Sequence, residues 1–292
     1  MASVSVKMEP NQKPLAVRQV WAYNLVPEFY LITKLIPHYS FIAMDTEFPG
    51  SVFHYPTTDS YNHRNLSPSD NYTLLKANVD ALKLIQVGFT LSDAAGNLPD
   101  LGTKYRYIWQ FNFRDFNLAR DTYAPDSIAL LQRQGINFGY NATYGIHSAH
   151  FGRLMISSGL LYNCNLTWLT FHGSHDFGYL IKIITRRALP TRLEEFLWFV
   201  KVMFGDNVYD VKHMMRSCPS LFGGLDRVAR TLNVDREGKS HQAGSDSLLT
   251  CDVFQKIRDT CFIDDEHKKH AGVLFGLEIE ICTKLQDFEE FY

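Results

Sequence analysis

The sequence predicts one α/β domain, a mixed central sheet flanked by helices. Three observations predict it. Apolar residues recur at helical spacing in some stretches and form short continuous runs in others. The runs end at Gly, Pro, Asn and Asp, residues that close strands. Two of the runs flank a turn-rich stretch, so part of the sheet is antiparallel. No repeat or low-complexity linker divides the 292 residues, and 46% of them are apolar, ample for a buried core.

Residues 1–13 are polar and read as a flexible N-terminus. From Leu15 to Ile36, apolar positions recur at roughly helical spacing and predict a helix that Pro37 stops. Phe41 to Phe48 reads as a buried strand closed by Pro49-Gly50. A polar surface excursion over 51–73 leads to a short helix, Leu74 to Ala81. Leu82 to Leu91 and Tyr105 to Phe113 are the strands of a hairpin. Helices follow over 126–134 and 148–158, joined by a Gly- and Tyr-rich link. Thr167 to Phe171 and Asn207 to Val211 are short strands. Phe177 to Thr185, Leu193 to Phe204, Gly224 to Leu232 and Ser245 to Arg258 are helices. The domain runs from 14 to 282, and 283–292 is an acidic, aromatic tail.

A net charge of −2 and a pI near 6.6 exclude a protein that coats nucleic acid by charge alone. An enzyme that grips one strand end through metal ions stays open. The five cysteines are odd in number and form no C-x-x-C pair, which fits free thiols in a reducing compartment. The first residues carry no apolar leader segment, and no run of 18 apolar residues occurs. The expectation is an intracellular soluble protein with no membrane contact.

The chemistry is carried by carboxylates. Asp45 and Glu47 stand two apart in an apolar strand, so their side chains share a face. Two such charges repel unless a cation sits between them, which makes a strand-borne D-x-E a natural metal clamp. Asp176 lies where a strand gives way to a helix, a place that equally suits a helix cap. His241 precedes Asp246 by five residues at the start of another helix, and both could face one site. Four carboxylates can hold two metals about 4 Å apart. Such a pair acidifies an attacking water and stabilises the leaving 3′ oxygen, while a histidine takes the proton.

The spacing D-x-E, then F-x4-D, then H-x4-D resembles the DEDDh exonuclease superfamily. FIAMDTEFPG, LKLIQVGFTLSD, TFHGSHDFGYL, VYDVKHMM and HQAGSDSLLT resemble, more narrowly, the Pop-type or Ccr-associated-factor deadenylase subunit of the Ccr–Not complex, in a plant-like or divergent form. The likeness runs from about Val17 to Glu280. It implies an RNase H-like (DnaQ-like exonuclease) fold and a 3′→5′ exoribonuclease that removes adenylates from mRNA as AMP. It implies Asp45, Glu47, Asp176 and Asp246 as ligands of two Mg²⁺ or Mn²⁺ ions, Asp45 bridging, with His241 as general base. It also implies poly(A) RNA, the Not scaffold subunit and the Ccr-type nuclease as partners, in cytoplasm and nucleus. The chain departs from the family at Gly173-Ser174-His175, across 51–66 and 135–150, and at Arg153.

Two other readings remain open at this point: a related nuclease trimming small structured RNAs, and a scaffold subunit whose activity is dispensable. Among weaker signals, Phe48 could stack on the terminal base and His172 could touch phosphate or ribose, against core and surface roles for each. Asp210 suits structural use better than catalysis.

Overall fold

The computed structural model describes residues 13–54 and 66–279. The expectations for 1–12, for residues 55–65 of the excursion over 51–73 and for the tail at 283–292 lie outside the described residues.

The sheet has six strands: β1 (Leu15–Val20), β2 (Phe41–Glu47), β3 (Gln86–Ser92), β4 (Arg106–Asn112), β5 (Thr167–Thr170) and β6 (Val208–Asp210). Their order is β1-β4-β3-β2-β5-β6. The pairs β2·β3 and β3·β4 are antiparallel, as the hairpin pattern predicts. The pairs β2·β5 and β5·β6 are parallel, so these three strands end at the same edge.

The expected helix from Leu15 to Ile36 is instead two elements, β1 and α1 (Leu25–Leu35). β1 pairs in parallel with β4 from Leu15↔Arg106 to Val20↔Phe111. Val17 and Val20, three apart, fit a helix in spacing, yet their β-branches favour a pleated strand. Val17 is exposed and Val20 buried, the alternation of an edge strand. Asn24 separates the two elements: its Oδ1 accepts the Trp21 N–H at 2.7 Å, closing a turn before α1.

The helices that follow are α2 (Pro68–Ala81), α3 (Pro125–Arg133), α4 (Phe138–Tyr144), α5 (Ser148–Ser157), α6 (Ser174–Thr185), α7 (Leu193–Phe204), α8 (Val211–Met214), α9 (Leu225–Thr231) and α10 (Ala243–Cys261). In α2, Ser67 caps the first turn by accepting the Asp70 N–H, and Pro68 starts the helix six residues earlier than expected. The Gly- and Tyr-rich link contains α4, capped by Asn137, whose Oδ1 accepts the Tyr140 N–H at 2.9 Å. Its seven residues are too few to show a helical period.

β2 shows how the layers form. Ile42 and Met44 point into an aromatic core with Phe89, Phe151, Trp168 and Phe177. Ala43, of opposite parity, points into a second cluster with Leu249, Val253 and Phe254 of α10. One face of the sheet therefore carries α10 and the other carries α6 and its neighbours. Among the described residues no helix is long and apolar enough to cross a membrane. Cys164, Cys218, Cys251 and Cys261 are free thiols, as the sequence leads one to expect.

Candidate metal centre

Strand alternation puts Asp45 and Glu47 on the α10 face of β2, near its C-terminal end. α10 reaches them because β3 carries a glycine at the facing position. Asp45 pairs with Gly88. A Cβ on Gly88 would lie 1.9 Å from the Ala243 carbonyl oxygen and 2.5 Å from the Gly244 nitrogen. The missing side chain lets the first turn of α10 rest directly on the strand, which brings Asp246 over the D-x-E pair.

Asp246 is held from two sides. Its Oδ2 accepts the backbone N–H of His241 at 3.0 Å, and its Oδ1 accepts from Nη1 of Arg236. His241 adopts a left-handed backbone (φ 57°) just before the helix. That bend turns the chain so that the His241 ring joins the carboxylates. One ligand atom each of Glu47, His241 and Asp246 lie within 4.8 Å of one another.

Asp176 arrives from the other face. It sits in the first turn of α6, whose N-cap is Gly173, so it is not the cap itself. Thr46, between the two strand carboxylates, points that way, and its Oγ1 donates to Asp176 Oδ1 at 2.5 Å. Gly173 has no room for a side chain, since a Cβ would meet Thr170 Oγ1 at 2.1 Å.

The four acids press on one another. Burial raises Asp45 well above the ordinary carboxylate range, and the charges of Asp246, Asp176 and Glu47 add to the rise, opposed by Arg236. Burial also raises Glu47, with Asp246 and Asp176 contributing. Asp176 is pushed up to about 7 by burial, against the Thr46 hydrogen bond. Asp246 is raised by burial and held down by Arg236. Such a set resists full ionisation until a cation enters. Oxygen donors with one imidazole suit a hard divalent ion, so the residues present fit Mg²⁺ or Mn²⁺.

This predicts a pH signature. A carboxyl whose folded pKa lies above its unfolded value destabilises the fold as pH rises between the two. In EDTA, thermal stability should therefore fall from about pH 4 to about pH 7, the range Asp176 defines. Added Mg²⁺ should remove most of that loss in a melting series. Asp252, half-buried on α10 and also pushed up to about 7 by desolvation, leaves a residue of the effect that metal does not touch. A melting temperature equally pH-dependent with and without Mg²⁺ would contradict the site.

The weaker candidates separate. Phe48 is stacked on His175, with ring centroids 5.3 Å apart and planes 11° apart, and packs on Tyr179 at 5.1 Å. These contacts favour its core role. His172 is exposed on the loop leading to Asp176. Asp210 is fully buried and accepts backbone N–H groups, the structural use the sequence favours. Sequence reasoning missed Thr46, Gly88 and Arg236. A glycine inside an apolar strand does signal close backbone approach; nothing marks Arg236, whose Nε also bonds Asp226 Oδ1 at 2.8 Å.

Residues 20–150 match the family described as CAF1 family ribonuclease. The chain is 50% identical over 273 residues to "Probable CCR4-associated factor 1 homolog 10" of Arabidopsis thaliana, covering 94% of this chain and 96% of that protein. It is 42% identical over 265 residues to "Poly(A) ribonuclease pop2" of Schizosaccharomyces pombe, covering 89% and 75%. Its structure is similar to that of S. pombe Pop2p in an Mg²⁺- and Mn²⁺-bound form, with TM-score 0.81, 42% identity and coverage of 89% and 99%. It is also similar to one chain of the structure described as yeast NOT1 MIF4G domain co-crystallised with CAF1, with TM-score 0.73, 29% identity and coverage of 93% and 100%. Exonuclease I, at TM-score 0.50, 13% identity and coverage of 75% and 40%, shares the fold alone, which is RNase H-like. The chain belongs to the CAF1 family of ribonucleases.

Proposed function

We propose that this chain is a metal-dependent 3′→5′ exoribonuclease that shortens the poly(A) tails of mRNA as a subunit of the Ccr–Not complex, releasing AMP. The observation that carries this reading is the meeting of Glu47, His241 and Asp246 within 4.8 Å, beside Asp45, which feels the charges of Glu47 and Asp246, and beside Asp176, whose charge acts on both Asp45 and Glu47. The substrate and partners are supported by relatives named as a poly(A) ribonuclease and as CCR4-associated factors, and by a similar chain crystallised with NOT1.

Asp45, Glu47, Asp176 and Asp246 would hold the ions, with Asp45 between them. When bound, two divalent ions lower the pKa of water and neutralise charge on the phosphate and the leaving oxygen. The chain's own part is positioning and proton transfer. Thr46 fixes the rotation of Asp176, and the His241 N–H fixes that of Asp246. The His241 ring takes the proton of the attacking water, a task imidazole suits at neutral pH. His241→Ala should slow release of the terminal nucleotide roughly 10²–10⁴-fold and flatten the pH–rate profile in single-turnover assays. A variant with unchanged rate and pH profile would remove His241 from that role.

We place the protein in cytoplasm and nucleus, as one domain over 14–282. The test of function is direct. Purified protein with 5′-labelled A-tailed RNA should give a ladder of shortening from the 3′ end with Mg²⁺ or Mn²⁺ and none in EDTA. A U-tailed RNA should be shortened more slowly. Equal shortening of both tails would overturn the adenylate preference, and no shortening at all would overturn the enzyme.

A further inference from the structure

We propose that His172 and Lys212 form a subsite for a backbone phosphate of the RNA strand, upstream of its 3′ end and beside the metal centre. This rests on the exonuclease reading above and says where the strand lies.

Topology places the two residues. β2, β5 and β6 are parallel neighbours, so their C-terminal ends share one edge of the sheet. β2 ends in the D-x-E pair, β5 leads into the loop of His172, and β6 leads into Lys212. Adjacent strands lie about 4.8 Å apart, so the chain reaches Lys212 roughly 10 Å across the edge from Glu47. A strand with its 3′ end at the carboxylates passes this point if it runs along the edge.

One buried carboxylate builds the subsite. Asp210, at 0% exposure, accepts the backbone N–H groups of His172 (2.8 Å), Gly173 (3.1 Å), Lys212 (3.0 Å) and Phe275 (3.0 Å). Three separate segments are thereby fastened to one point. Their side chains meet outside it: Lys212 Nζ lies 3.5 Å from His172 Nδ1 and 5.0 Å from the centre of the Phe275 ring. Among the described residues the ammonium rests on a histidine and on aromatic faces and pairs with no carboxylate; the charge it feels is that of Asp210, whose oxygens are taken up by the backbone N–H groups, so the ammonium is available to an anion.

His172 carries a second mark. Its φ is 64°, a region where glycine is free and other residues are strained. The chain keeps a side chain at a position where glycine would relieve the backbone, and that side chain is exposed. With its Nδ1 lone pair toward the ammonium, the ring carries its proton on Nε2 and presents it as a donor. An ammonium and an imidazole N–H suit a phosphodiester oxygen. A stacked base fits less well, because the Phe275 ring is already covered by Lys212 and by Arg216, whose guanidinium lies 4.8 Å away. Arg216 itself is paired with Glu278 at 2.6 Å.

The test measures binding of a 5′-labelled fifteen-nucleotide A-tract by anisotropy in EDTA, across a KCl series, for wild type, Lys212→Met and His172→Gly. One lost phosphate contact should make the slope of log affinity against log salt shallower by about 0.7, a roughly threefold change between about 50 and 200 mM. Both variants should show it. Lys212→Met should still take up Mn²⁺ as wild type does. His172→Gly should melt at or above the wild-type temperature while binding RNA more weakly, which a structural role alone does not give. Wild-type slopes in both variants would overturn the subsite while the 3′ ladder leaves the nuclease reading standing. A wild-type protein that neither binds nor shortens RNA would overturn both.

Discussion

Replacing Asp45 with Asn abolishes RNA shortening, and the metal-free variant melts at a higher temperature than wild type. Both effects follow from one charge. Asp45 sits where Asp246, Asp176 and Glu47 all act on it, and burial adds to their effect in disfavouring its ionised form. Asparagine keeps the shape of the side chain and removes the repulsion, so the metal-free fold gains. It also removes the ligand proposed to lie between the two ions. Transition-state stabilisation of several kcal/mol then goes, and the rate falls by at least about 10³-fold. Thermal melting in EDTA beside single-turnover shortening in Mg²⁺ checks the pair. A variant both active and less stable would contradict the reading. Asp246 is a poorer choice for this experiment: its removal takes one of two carboxylate partners from Arg236 and the acceptor from the His241 N–H, so stability falls for reasons unrelated to metal.

Gly88→Ala is expected to lose both fold stability and activity, though Gly88 touches no substrate. The added methyl would sit 1.9 Å from a backbone oxygen of α10, and neither the strand nor the helix backbone can turn aside as a flexible side chain can. The strand is fully buried along its length, so the helix start must lift. The expected cost is about 3 kcal/mol, the upper range for overpacking. Lifting α10 carries Asp246 and His241 away from Glu47. Activity should therefore fall even at temperatures where the variant remains folded, and extra Mg²⁺ should restore part of it. Urea unfolding and shortening assays decide this; wild-type stability would show that the contact between β3 and α10 is looser than described. Gly224→Ala is the control, since φ there is −91° and a Cβ meets nothing within 4 Å.

Much of the site was legible in the sequence, and the reason is local. D-x-E on a strand declares a shared face through alternation alone, and His241 and Asp246 lie on one short segment. Asp176 was legible only as a carboxylate at a helix start; its link to Thr46 crosses 130 residues of sequence and leaves no local trace. Arg236 was invisible although each of its partners lies only ten residues away, because it stands in a loop with no periodic pattern to aim its side chain. Its two partners, Asp226 and Asp246, come from different helices, α9 and α10. In the fold, α7 was legible to the residue because its apolar stripe is long and ends at Gly205. β1 was misread because four or five apolar positions fit both periods until a partner strand selects one. α4 escaped because seven residues carry too little pattern.

In the proposed mechanism two divalent ions share one cage of four carboxylates. Calorimetric titration of the purified, chelator-stripped protein with Mn²⁺ tests it most directly. Two ions should bind per wild-type chain, and Asp45→Asn should lose tight binding of both, because that carboxylate is proposed to touch each. Absent binding to wild type, or an Asp45→Asn variant that still takes up two ions with unchanged affinity, contradicts the claim.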